Sequence, residues 1–217
     1  MPTVAQMSLM RFLVSWSLPT ANATPFRDSL RGLPPRPSRA RATFNPAWDW
    51  VKTSGLISTR YWSNLPAGEV FTTPASVDGV FVCDGPAGDY FGPKYGDLRE
   101  SPLTLRIEGG RLVSASSDRR DLEQEFWAYC HADTYSDRVG ELAFGTNLGV
   151  DRMIGVLLQD EKVPGVHIAF GDPYGSQTGA DWKSTTHVDV LTRECDVWID
   201  DDQVIEKGRY LLDKFAL

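Results

Sequence analysis

Cysteine is scarce in this chain: Cys83, Cys130 and Cys195 are the only three among 217 residues, widely spaced and with no C-x-x-C pair. That excludes a disulfide framework and a zinc ribbon, and makes a reducing cytoplasm the expected compartment. Long apolar runs are missing too. No stretch approaches the roughly 18 apolar residues of a membrane-spanning helix, so no membrane partner is expected. Positive charge is in deficit, with 22 Lys and Arg against 29 Asp and Glu, a formal net charge of −7 and a pI near 5.0. A nucleic-acid-binding surface needs a basic stripe, so nucleic acid is excluded as a partner. No internal repeat occurs. What remains, 41% hydrophobic and 24% charged residues, is an ordinary globular composition in a chain long enough to bury a core.

The charge is unevenly spread. Arg11, Arg27, Arg31, Arg36, Arg39 and Arg41 face only Asp28 and Asp49 in residues 1–50, a local +4, which leaves −11 for the rest. Pro34, Pro35 and Pro37 lie in the same segment, and no helical or strand period is expected between Thr20 and Asn45. Residues 1–55 are therefore expected to be disordered or an atypical extension, with a metal-binding catalytic domain over residues 56–217. Met10 to Trp16 is apolar and Ala21-Asn22-Ala23 has the small residues of a cleavage site, but the run is broken by Ser15 and Ser17 and no basic cluster precedes it, so no secretory leader is expected.

Periodicity becomes legible further on. Val70 to Thr73 and Gly79 to Cys83 read as strands, with Pro74 ending the first and a Gly/Pro/Asp loop from Asp84 to Asp97 after the second. Leu103 to Glu108 and Arg111 to Ser116 flank Gly109-Gly110, the two-residue signal of a β-hairpin. Leu122, Phe126, Tyr129 and Cys130 recur at helical spacing, so Asp118 to His131 is expected to be a helix, with Ser117 or Asp118 as its cap and His131 a structural residue at its C-terminus. Glu141 to Thr146 returns as a strand, and Asp196 to Ile199 pairs with Gln203 to Glu206 around Asp200, Asp201 and Asp202. That acidic trio reads as a solvated turn. The fold class expected is α+β, a strand-rich mixed sheet with few helices.

Two of the three histidines fall between Val166 and Asp189. In Thr186 to Leu191 the alternation puts His187 and Asp189 on one strand face and Val188 and Val190 on the other; in Val166 to Phe170 it puts His167 with Ala169, opposite Val166, Ile168 and Phe170. If the strands are neighbours, two imidazoles and a carboxylate share a surface, a ligand set that suits Zn, Mn or Fe(II). An isolated H-x-D is more often a pair of half-buried strand residues, so neighbouring carboxylates decide the matter. Asp160 and Glu161 precede His167 closely enough for either to act as a general base, Glu161 being preferred, or else they face solvent with Lys162.

Four motifs occur in order: NLPAGEVFTTP (Asn64 to Pro74), GELAFGTN (Gly140 to Asn147), DEKVPGVHIAFGDPYG (Asp160 to Gly175) and STTHVDV (Ser184 to Val190). Together they resemble the catalytic domain of the thermophilic metallo-aminopeptidases, the M29 or aminopeptidase T family, from about Trp62 to Gly208. The resemblance implies removal of N-terminal residues from peptides through water activated by two divalent ions, Zn, Mn or Co, and a possible homodimer. Carried over by motif, the metal ligands are Glu69, Glu141, His167, Tyr174, His187 and Asp189, all of the expected type. Tyr174 is also a candidate to hydrogen-bond the tetrahedral intermediate, or else a packed aromatic closing the Gly171 to Gly175 turn.

Family members place an α/β domain before the metal-binding one, and here some sixty Arg- and Pro-rich residues stand in its place. The resemblance is therefore to the C-terminal domain alone. Ring-cleaving dioxygenases of the dihydroxypyridine type resemble the same metal domain and need one Fe(II) on two histidines and a carboxylate, which His167, His187 and Asp189 would satisfy. Glu69, Glu141 and Tyr174 favour two metals and hydrolysis. An inactive, truncated metal-binding module is the third alternative.

Overall fold

The computed structural model describes residues 12–15, 39–60 and 62–215. In chain order its strands are β1 (Phe12–Ser15), β2 (Arg39–Phe44), β3 (Val51–Thr53), β4 (Glu69–Thr72), β5 (Pro74–Cys83), β6 (Leu103–Glu108), β7 (Arg111–Ser116), β8 (Val139–Gly145), β9 (Gly165–Gly171), β10 (His187–Leu191), β11 (Asp196–Ile199), β12 (Asp202–Glu206) and β13 (Arg209–Tyr210). The helices are α1 (Gly88–Tyr95), α2 (Arg120–Tyr129) and the single turns α3 (Leu157–Asp160) and α4 (Gly175–Thr178). All strand pairs are antiparallel, in an eight-stranded sheet of order β13-β12-β11-β1-β2-β5-β6-β7 and a five-stranded sheet of order β10-β9-β8-β4-β3. The α+β, strand-rich expectation holds.

Period-two patterning builds the large sheet. In β6 Leu103, Leu105 and Ile107 point inward, and the turn to β7 runs through Gly109 and Gly110 at φ 56° and 76°, the left-handed pair that a tight hairpin requires. The small sheet turns Leu142, Ile168, Phe170, Val188 and Val190 into the same core. Between them, Phe126 of α2 stands 5.5 Å from Phe91 of α1 and 6.2 Å from Phe170 of β9, in a tilted and an edge-on arrangement. Each such fully buried aromatic contributes about 1.5–3 kcal/mol. The core thus backs directly onto the strand that carries His167.

Several expectations are corrected. Residues before 56 do not all lie outside the fold: β1 and β2 are interior strands of the large sheet and β3 edges the small one. RARATF in β2 alternates exposed and buried, with Ala40, Ala42 and Phe44 inward, so a strand period was present beneath the arginine-rich composition. Ala21-Asn22-Ala23 and Pro34 to Pro37 lie outside the described residues. Pro74 opens β5 as well as following β4. The loop expected from Asp84 to Asp97 contains α1, which forms despite Gly92 and Pro93 because Phe91 and Tyr95 are buried against α2. Tertiary burial there overrides local propensity. Helix α2 starts at Arg120 without a side-chain cap; Ser117 Oγ instead accepts the Arg119 N–H at 3.2 Å.

Candidate metal centre

The face of the small sheet turned away from the core is where the polar residues collect. Because alternate residues share a face, the strand sequences place Glu69 and Phe71 (β4), Glu141 and Ala143 (β8), His167 and Ala169 (β9), and His187 and Asp189 (β10) on that side. Register then decides convergence. Glu141 and Asp189 both pair with Ala169, His167 pairs with Ala143, Glu69 pairs with Gly145 and His187 pairs with Gly171. Between β4 and β8, β8 and β9, and at the Asp189 and His187 positions of β10, each large polar residue thus stands opposite an alanine or glycine, although His167 also faces Leu191 and Glu69 also faces Thr53; the polar side chains meet one another diagonally.

They do meet. His167 Nε2 lies 3.0 Å from Glu69 Oε1, 3.7 Å from Glu141 Oε1 and 4.0 Å from Asp189 Oδ1. His187 Nε2 lies 3.8 Å from Glu141 Oε2 and 3.5 Å from Asp189 Oδ1. Three sets of ligand atoms lie within 4.8 Å of one another: Glu69, Glu141 and His167; Glu141, His187 and Asp189; and Glu161, His167 and Asp189. Glu141 is common to the first two. Despite its close approach to Glu69, the buried Nε2 of His167 makes no well-directed hydrogen bond. A buried nitrogen ringed by carboxylates yet without a well-directed hydrogen bond is the arrangement a divalent cation would complete, so the donor set fits a metal. His187 Nδ1 lies 2.9 Å from the Asp172 carbonyl oxygen, an acceptor only, so Nδ1 carries the proton of the neutral ring, the tautomer in which Nε2 could offer its lone pair to a cation.

The electrostatics reflect a crowd of buried anions. Burial by itself would lower both histidine pKa values, but the carboxylates around them more than offset it: Glu141 and Glu69 hold His167 well above its ordinary value, and Asp189 and Glu141 lift His187 to about 9. Burial raises Glu141, whereas the neighbouring cations outweigh burial and depress Glu69 and Asp189. Burial, with the charge of Glu69, pushes Glu161 up to about 7.

The remaining candidates sort clearly. Tyr174 lines the same cavity, about 210 Å³ in volume, with its ring centroid 4.6 Å from that of His187. Its backbone is left-handed (φ 49°, ψ 48°), held by an Asp172 Oδ1 that accepts its N–H at 2.9 Å. For a non-glycine residue such a conformation costs about 1–3 kcal/mol and recurs at functional sites. Glu161 also lines the cavity, but Asp160 does not reach it: buried at the end of α3, it accepts the N–H groups of Ile154 and Gly155 at 2.8 and 2.7 Å. His131 stacks on Trp127 and lies outside the site.

Two supporting features were not legible in the sequence. Lys162, which local sequence grouped with solvent-facing charges, is 3% exposed, and its Nζ donates to Glu69 Oε2 at 2.6 Å and Glu161 Oε1 at 2.5 Å. Its burial in the turn after α3 depends on contacts with β4, about ninety residues away, for which no local signal exists. Asp133 anchors the loop that leads into β10: it accepts the Thr185 N–H at 2.7 Å and hydroxyl at 2.8 Å and the Ser184 hydroxyl at 3.0 Å.

Residues 43–204 match the thermophilic metalloprotease (M29) family. The chain is also similar to a 2,5-dihydroxypyridine 5,6-dioxygenase of Pseudomonas putida, 26% identical over 159 residues that cover 68% of this chain and 44% of that protein. Among solved structures, wild-type AmpT from Thermus thermophilus aligns with a TM-score of 0.61 at 21% identity, over 80% of this chain and 47% of that one. The structure of the Pseudomonas putida dioxygenase aligns with a TM-score of 0.67 at 17% identity, over 94% of this chain and 56% of that one. Both structural likenesses are of fold. The chain spans about half the length of these relatives.

Proposed function

Since this chain belongs to the thermophilic metalloprotease (M29) family, we propose that it is a metal-dependent aminopeptidase that removes N-terminal residues from peptides. The observation that carries this reading is the sharing of Glu141 between two ligand groups, one completed by Glu69 and His167 and the other by His187 and Asp189. A single ion would have no use for so many buried carboxylates. With Tyr174, these five residues would hold two divalent ions, Zn, Mn or Co. Such ions would supply Lewis acidity and a water deprotonated near neutral pH.

The chain's own residues supply the rest. The Asp172 carbonyl fixes the His187 ring so that Nε2 faces the cluster. Glu161, at the wall of the cavity, is placed to take a proton from the attacking water and pass it to the leaving amine. Tyr174, at the more exposed side of the cavity, orients the peptide carbonyl through its hydroxyl. The open carboxylate-lined cavity receives the substrate's amino terminus, while Phe71 and Ala67 give its wall an apolar stretch. In this reading the protein is cytoplasmic, with no nucleic-acid or membrane partner, and associates with a second copy of itself.

A second reading is favoured by one specific residue, Asp189, which stands 4.0 Å from His167 and 3.5 Å from His187, and by the fold likeness to the dioxygenase over 94% of this chain. A mononuclear iron centre for ring cleavage needs only those three. Metal content per chain, measured by elemental mass spectrometry beside Glu141→Ala and His187→Ala, separates the two. Two Zn, Mn or Co per chain, reduced in both variants, with release of N-terminal residues from peptide amides, is the expected result. One iron per chain moves the assignment to ring cleavage, and no bound metal refutes both.

A further inference from the structure

Lys162 brings the one ammonium into the cluster among the described residues, and its contacts are unevenly distributed. Its ammonium holds Glu69 Oε2 and Glu161 Oε1, one carboxylate from each of two ligand groups, and both of these ion pairs lie outside the third group of Glu141, His187 and Asp189. Glu69 is split by it, with Oε2 on the ammonium and Oε1 facing His167 at 3.0 Å. A buried ammonium stays only where carboxylates compensate its desolvation, so Lys162 and an incoming divalent ion draw on the same negative charge. Coulomb repulsion between the two is strong at such distances in a partly desolvated site.

The geometry points to Lys162 as a positioning residue that makes the two metal positions unequal: it competes with an ion directly for Glu69 at the Glu69–His167 position and acts on the Glu141–His187–Asp189 position only through space. This inference rests on the two-metal reading. The Glu141–His187–Asp189 position fills first. The second fills only as the ion displaces the ammonium from Glu69 or binds against its charge. In the metal-free protein Lys162 holds Glu69 at the site, with one oxygen turned toward His167.

Titrating metal-stripped protein with Zn or Mn against a chromophoric chelator tests this without any activity measurement. The full chain is expected to show a tighter and a weaker class of site. Lys162→Met removes the charge and should tighten the weaker class on the order of tenfold or more, with the tighter class changed by less. Lys162→Arg, which keeps the charge, should leave the weaker class weak. Equal classes in the unmodified chain, or a weaker class that is unchanged or lost in Lys162→Met, overturn the inference while leaving two metals standing. One ion in the unmodified chain refutes the two-metal reading on which the inference rests, and one ion in Lys162→Met as well overturns the inference itself. Should Lys162→Met not fold, crystals of the unmodified chain soaked in excess metal decide: the Nζ–Oε2 pair must open as the second position fills, and a second ion beside an intact pair overturns the proposal.

Discussion

Gly171→Ala is the substitution whose effect the structure specifies most fully, because Gly171 ends β9 opposite His187. A Cβ built there lies 2.1 Å from the Thr186 carbonyl oxygen and 2.8 Å from its carbon, at a φ of +107° that L side chains rarely adopt. Reaching ordinary contact requires the strands to part by more than about 1 Å, and the carbonyl in the way accepts the Asp172 N–H at 2.8 Å. Losing that bond costs about 1 kcal/mol and the backbone strain about 1–3 kcal/mol more, together about 2–4 kcal/mol. For a chain of this size about 2–4 °C of melting temperature follows each kcal/mol, so a fall of about 4–16 °C is expected. Both residues that would be displaced adjoin His187: Thr186 precedes it, and Asp172 orients its ring. Metal content should therefore fall with stability. Gly92→Ala is the control, a half-buried helix position where a Cβ meets nothing within 4 Å beyond its chain neighbours; the helix propensity gained and the restriction imposed by Pro93 oppose each other, so stability should change by less than about 1 kcal/mol. Thermal melts by circular dichroism on metal-stripped protein, followed by metal analysis, provide the measurement. A Gly171→Ala protein that melts within 2 °C of the unmodified chain and retains its metal would refute the account of strand packing at the site.

Asp133→Asn should loosen the loop entering β10, because the amide keeps one acceptor oxygen and presents a donor to groups that already donate. The Thr185 N–H above all holds the Asp133 carboxyl well below its ordinary range; its contribution is present above the unfolded pKa of about 3.9 and fades as pH falls through the lower folded value. Urea unfolding across pH 2–6 should show a flatter acid limb for the variant, and parallel curves would sink the linkage. Phe126→Ala empties a fully buried position against Phe91 and Phe170 behind the His167 strand. A cost of about 3–5 kcal/mol in chemical denaturation is expected, and less than 1 kcal/mol would mean that α2 is not clamped to the small sheet as described.

The residues themselves determined the local elements and the identity of the ligand types. HVDVL and VHIAF each declare a strand face by alternation, LTLRIE-GG-RLVSAS declares its hairpin, and the order of the four motifs points to the family. All these signals span a few residues and depend on side-chain period or turn chemistry. Others were local but masked: the alternation of RARATF sits under a composition that reads as disorder, and α1 carries a glycine and a proline that speak against the helix its aromatic residues secure by burial. Tertiary structure alone decided the rest. The order β10-β9-β8-β4, and the register that sets Glu141 and Asp189 on either side of Ala169, bring Glu69 within 3.0 Å of His167. The same packing draws Lys162 into the cluster while turning Asp160 away from it. Period tells a side chain which face to take, but which strands become neighbours follows from burying one shared core, a property of the whole chain that no short stretch contains.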